Sequence, residues 1–139
     1  MKYLLDTCTL SDFIKGEPGV LSAIKRTSPD QIAISVVTRM EIDYGLLLNP
    51  QRAKKLTPLL DAFLSSITIL PFDDADAKAA ATVRAALRQI GQPIGPYDCQ
   101  IAGCGVARGL VVVTSNEAEF RRVSGLCVEN WRKTGAAAG

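Results

Sequence analysis

The chain has no histidine among its 139 residues, and this absence excludes more chemistry than any other feature of the composition. Ser-His-Asp and Cys-His nucleophile systems are closed to it, and so is histidine-based acid–base cleavage of RNA. Whatever chemistry it performs must use carboxylates, lysines or a metal ion. Cysteine is scarce and unpatterned: Cys8, Cys99, Cys104 and Cys127 contain no C-x-x-C pair, so they read as reduced thiols serving as small buried hydrophobes. Long apolar runs are lacking too. No stretch approaches the roughly 20 residues of a membrane helix, and the opening Met1-Lys2-Tyr3-Leu4-Leu5 meets Asp6 too soon for a signal peptide. A cytoplasmic protein without membrane contact is expected.

The composition, 47% hydrophobic and 22% charged, belongs to ordinary globular domains, and the length suits one of them. A single domain is expected over residues 1–133. The tail 134–139, Thr-Gly-Ala-Ala-Ala-Gly, has no core-forming pattern and reads as disordered or as an expression remnant. Four short apolar runs rich in β-branched residues, Tyr3 to Leu5, Ile32 to Ser35, Ile67 to Leu70 and Leu110 to Val113, read as buried strands. Helical spacing lies between them: Met40, Tyr44, Leu47 and Leu48; Leu56, Leu59, Leu60 and Phe63; Val83, Leu87 and Ile90. This alternation predicts an α/β fold with a mostly parallel central sheet and helices on its faces. Asp73 or Asp74 can cap the helix that Gly91 ends, and Pro96 suits the first turn of another running to about Arg108.

In parallel α/β sheets ligands gather outside the carboxyl ends of the strands, and the acids can be placed against that rule. Asp6 follows the first strand; Glu41 lies in the first turns of the helix after the second; Asp98 begins the Pro96 helix; Asn116 and Glu119 follow the fourth strand. Four segments thus send oxygen ligands toward one edge, an arrangement suited to a hard cation such as Mg2+ or Mn2+. Each residue also has a plainer role. Asp6 can cap a helix beginning near Thr9, Asp98 can serve as a favourable charge at a helix start, and Asn116 can be a turn residue. Glu41 is placed at the margin of the stripe formed by Met40 and Tyr44. Asp73, Asp74 and Asp76 read as helix-start residues, Glu17 and Asp30 as loop charges, Asp12 and Asp43 as solvated.

The chain carries an ordered set of motifs: Tyr3-Leu4-Leu5-Asp6-Thr7; Ser35-Val36-Val37-Thr38-Arg39-Met40-Glu41 with Tyr44-Gly45; Pro93-Ile94-Gly95-Pro96-Tyr97-Asp98; Val113-Thr114-Ser115-Asn116 through Glu119-Phe120; and Glu129-Asn130-Trp131. Over nearly its whole length the chain resembles the PIN-domain ribonucleases, and within them the VapC-type toxins of bacterial toxin–antitoxin pairs. The resemblance implies a three-layer α/β/α fold and an acidic metal site on Asp6, Glu41, Asp98 and Asn116, with Glu119 nearby. Two departures stand out: Cys8 replaces the asparagine usual after the Asp-Thr pair, and Asn116 stands where aspartate is frequent, removing one negative charge.

The same resemblance implies metal-assisted hydrolysis of RNA, structured RNAs such as tRNA being the expected targets. It also implies a homodimer, a VapB-type antitoxin that blocks the cleft, and contact with DNA only through that antitoxin. An acidic pocket repels RNA unless cations surround it. Assigning Asp6, Glu41, Asp98 and Glu119 to the site leaves ten acids against 16 basic residues, with Arg39, Arg84, Arg88, Arg121 and Arg122 as candidates to face RNA. The alternative is a catalytically weak domain that keeps the fold and binds RNA or a protein partner, a reading favoured by Cys8 and Asn116. An aspartate-nucleophile phosphatase is disfavoured, since Asp6-Thr7-Cys8-Thr9 lacks the second aspartate such enzymes need.

Overall fold

A computed structural model describes residues 1–138, side chains from residue 135 onward excepted. Strands β1 (Tyr3–Leu5), β2 (Ile32–Ser35), β3 (Thr68–Leu70), β4 (Val111–Val113) and β5 (Val128–Glu129) form one sheet in the order β3-β2-β1-β4-β5. Every pairing is parallel, with Tyr3 opposite both Ile32 and Val111. Parallel neighbours need crossovers, which the helices provide. These are α1 (Thr7–Lys15), α2 (Pro18–Arg26), α3 (Val36–Leu47), α4 (Pro50–Leu64), α5 (Asp74–Gln89), α6 (Pro96–Arg108), α7 (Glu117–Phe120) and α8 (Trp131–Ala138). The chain winds outward from β1 through β2 to β3, then returns to β1's other side as β4. The order reverses between β1 and β4, and that junction opens the crevice where sheets of this kind bind ligands.

Strand side chains alternate between two buried layers. Leu4, Ala33 and Val112 pack with α5, α6 and α7 residues such as Val83, Leu87, Ile101 and Phe120. Their neighbours Leu5, Ile34 and Val113 pack with Leu10, Phe13, Val20, Leu60 and Trp131 from α1, α2, α4 and α8. This is a three-layer α/β/α sandwich, and the strands read as continuous apolar runs because both faces are covered. Helices α5 and α6 pack closely: a Cβ on Gly103 would come within 2.5 Å of the Ala80 backbone nitrogen. Arg108 at the end of α6 bonds Asp76 and the Pro71 carbonyl, pinning the same pair.

Several sequence expectations meet the structure exposed or paired differently. Met40, Tyr44, Leu47 and Leu48 are exposed, and the inward face of α3 is Val37, Thr38 and Ile42, one step round the helix. Asp12 is buried against Arg132, which grips it with two 2.7 Å hydrogen bonds, so it is no solvated charge. Glu17 caps α2 by accepting from the Val20 N–H. Asp76 does more than start a helix, being buried in a capping box with Asp73 and paired to Arg108. Cys99 and Cys104 are buried as expected, but Cys8 and Cys127 are exposed; all four are free thiols. Strand β5, two residues long, has too little pattern to be read from sequence. Of the tail 134–139, Gly139 lies outside the described residues, and the side chains of 135–138 are not described.

Candidate metal centre

Asp6 sits where β1 gives way to α1. Its extended backbone ends the strand and its carboxylate, accepting from the Thr9 N–H at 2.8 Å, caps the helix. The capping role and the site role therefore coincide in one residue, and the helix begins at Thr7 rather than Thr9. The side chain is almost wholly buried. Burial raises its pKa above the usual carboxylate value, opposed by hydrogen bonds from Thr114 and Thr9.

Glu41 comes from the second turn of α3, and its Oε1 accepts from the Thr7 hydroxyl at 2.6 Å, tying α3 to the start of α1. Asp98 enters from the first turn of α6, which Pro96 opens without losing a hydrogen bond. Its pKa is pushed up to about 6, first by desolvation and then by the charges of Asp6, Glu41 and Glu119. Three acids from three other segments thus act on one carboxyl. Asn116 precedes α7, yet its side chain makes no cap; Nδ2 instead donates to Glu119 Oε2 at 2.9 Å.

Two threonines that sequence reasoning left unassigned hold this arrangement. Thr7 positions Glu41, and buried Thr114 accepts from the Asn116 N–H and lies where its hydroxyl lowers the Asp6 pKa. The adjacency of Thr7 to Asp6 and of Thr114 to the Ser115-Asn116 turn was the available signal. Cys8 lies beside them with its thiol pushed up to about 11 by partial desolvation among its neighbours and by the nearby charges of Asp6, Asp98, Asp12 and Glu41.

The donors are oxygen atoms whose charges act on one another, the kind a hard divalent cation prefers. Among the described residues no three His, Cys, Asp or Glu side chains are grouped so as to hold a metal ion. Thr7 and the Thr9 N–H hold two of the carboxylates through their own hydrogen bonds.

Residues 3–126 match the PIN domain. The chain belongs to the PIN domain family. This PIN domain is 37% identical over 131 residues to the tRNA(fMet)-specific endonuclease VapC of Shigella flexneri, covering 94% of this chain and 98% of that one. It is 31% identical to the Ribonuclease VapC of Haemophilus influenzae over the same shares. The DNA-bound VapBC structure from Salmonella typhimurium superposes on it with a TM-score of 0.84 at 36% identity, covering 94% of this chain and 98% of that one. The PIN domain thus falls among the VapC ribonucleases in both sequence and fold.

Proposed function

We propose that this PIN domain is the toxin of a toxin–antitoxin pair, a divalent-cation-dependent endoribonuclease that hydrolyses RNA phosphodiester bonds, with initiator tRNA as its first candidate substrate. The observation that carries the reading is that Asp6, Glu41 and Asp98 come from three elements at the sheet's switch point, where desolvation first and then the charges of Asp6, Glu41 and Glu119 push Asp98 up to about 6. A pure binding surface has no use for mutually repelling acids held inside a fold, whereas a nuclease uses them to retain Mg2+ or Mn2+. When bound, the ion supplies Lewis acidity that makes water nucleophilic near neutral pH and offsets charge on the scissile phosphate.

Asp6 and Asp98 would be the principal ligands, Asp6 fixed by its capping bond and Asp98 free to adjust on the first turn of α6. Glu41, oriented by the Thr7 hydroxyl, is the group to take the proton from the attacking water. Asn116 offers an uncharged contact to a phosphate oxygen or water, and its bond to Glu119 holds that carboxylate at the rim. The partners are a VapB-type antitoxin, through which alone DNA is reached, and a second copy of the chain. The relatives that carry the VapC name and the VapBC complex support this reading. The compartment is the cytoplasm, where the RNA is; among the described residues no helix is long and apolar enough to cross a membrane.

The test is cleavage of initiator tRNA and of total RNA by antitoxin-free protein in Mg2+ or Mn2+, with chelator and Asp6→Asn as controls. Cleavage that needs both the metal and Asp6 is expected. A folded, metal-supplied protein that cuts neither RNA would instead favour the binding-module reading, with Cys8 and Asn116 as the residues that weakened the site.

A further inference from the structure

Helix α1 carries Thr7, Ser11 and Lys15 at i, i+4 and i+8, a single row along one face. All three line two separate clefts, one on each side of the row. The first, about 250 Å3, also takes in Glu41 and Arg52. The second, about 290 Å3, takes in Cys8, Ser115 and Arg132. The row therefore starts at the acidic centre, where Thr7 holds Glu41. At 1.5 Å of rise per residue it ends ~12 Å away, at Lys15.

A polyanion approaching several carboxylates needs cations close to the centre but outside it. The arginines favoured by sequence mostly do not supply them: Arg39 is paired with Asp43, Arg121 with Glu117, and Arg122 donates to the Pro93 carbonyl. Arg132 faces the second cleft but is engaged by Asp12. Lys15 and Arg52 are exposed, and among the described residues neither has an ion-pair partner. Both face the cleft that Glu41 enters.

We propose that the Thr7-Ser11-Lys15 row is the track of the RNA strand beside the acidic centre, with Lys15 holding a phosphate further along the strand from the one cleaved and Arg52 holding that phosphate or its neighbour from across the cleft. The hydroxyl of Ser11 donates to the backbone between them. These contacts add binding without touching the reacting atoms, so their loss weakens substrate affinity and leaves the chemical step intact. The inference rests on the ribonuclease reading for its substrate.

The experiment compares the full chain with Lys15→Gln, Lys15→Arg, Arg52→Gln and the control Lys25→Gln, an exposed lysine of α2 that lines neither cleft. Cleavage of initiator tRNA in Mn2+ gives kcat and KM across a KCl series. Anisotropy of a fluorescein-labelled single-stranded RNA dodecamer, in chelator, gives affinity without catalysis. Lys15→Gln and Arg52→Gln are expected to raise KM and Kd several-fold with kcat within about twofold, and each to flatten the log–log salt dependence by about 0.7. Lys15→Arg should restore both constants, and Lys25→Gln should match wild type. If Lys15→Gln binds and cleaves like Lys25→Gln while wild type cuts RNA, the track is wrong and the ribonuclease stands. If wild type cuts nothing, the ribonuclease reading fails and the dodecamer affinities alone decide the track.

Discussion

Asp98 sets stability against function. Its folded pKa, about 6, lies above the ordinary 3.8, so the folded state holds the proton more tightly than the unfolded chain does. The stability this gives is complete below about 3.8 and is lost as pH rises through about 6. The metal-free protein should therefore lose part of its stability between those values, and Asp98→Asn should recover it at pH 7.5, by about 1 kcal/mol once solvent screening is allowed for. The same substitution should abolish cleavage. Thermal melts in chelator at pH 5 and pH 7.5 check the pair: a variant less stable than wild type at both values would show that Asp98 is not under repulsion. In wild type, added Mg2+ should raise the melting temperature more at pH 7.5 than at pH 5, because the cation binds the deprotonated carboxylate.

Cys8 reports on the same field. With its thiol pushed up to about 11, little thiolate exists at neutral pH, and thiolate is the reactive form. Alkylation of this exposed cysteine by iodoacetamide should be slower than that of free cysteine, and faster in Asp6→Asn. Peptide mass spectrometry of the modified chain measures both rates. A Cys8 that alkylates at the free-cysteine rate would mean that the acids of the site do not act on it.

At the scale of elements, tight packing and site geometry meet in the α5–α6 pair. Gly103, in the middle of α6, lets the helices approach until a Cβ would overlap the backbone of Ala80, and α6 carries Asp98 in its first turn. Gly103→Ala should destabilise the fold by about 1–3 kcal/mol, read from chemical denaturation. It should also reduce metal affinity, since the first turn of α6 shifts with the helix. Wild-type stability in this variant would show that the pair has slack.

How the sequence announces these elements follows from which physical signals are local. β1 and β2 have the bounds expected from their apolar runs, because strands covered on both faces are written as unbroken Leu, Ile and Ala. α6 begins at Pro96 and ends before Gly109, whose positive φ of 66° is the left-handed stop that glycine adopts freely. The face of α3 was not legible: Met40, Tyr44, Leu47 and Leu48 have helical spacing, yet the sheet takes Val37, Thr38 and Ile42. Periodicity gives a helix without saying which neighbour claims which side. The acids of the candidate site were visible as residues at strand ends and helix starts. Thr7 and Thr114 were marked only by their adjacency to Asp6 and to the Ser115-Asn116 turn, since a hydroxyl acquires its role only from what folding brings opposite it. The free cations beside the site were likewise hidden, because pairing with Asp43 or Glu117 removes some arginines from consideration only once the helices are formed.

At the scale of the whole molecule, the chain's end closes back on its beginning. Trp131 is buried in the layer built on α1 and α2, edge-on to Tyr3 of β1 with ring centroids 5.1 Å apart. Arg132 grips Asp12 on α1, while Lys133 and Asn130 bond Glu117 on α7. These contacts tie together the helices that follow Asp6 and Asn116, so the C-terminal segment holds the two sides of the switch-point crevice in register. Arg132→Ala leaves the buried Asp12 carboxylate without its partner and should cost about 1–3 kcal/mol. It should also strengthen the negative field at Asp6, on which Asp12 already acts; that field draws a divalent cation more strongly than a proton, so less Mg2+ should be needed than in wild type. Adding Asp12→Asn removes the stranded charge and should reverse most of both effects. A double-mutant cycle, read by denaturation and by metal titration of cleavage, separates the two effects. If Asp12→Asn restores stability but not the metal requirement, the C-terminal segment acts on the crevice through its geometry rather than through charge.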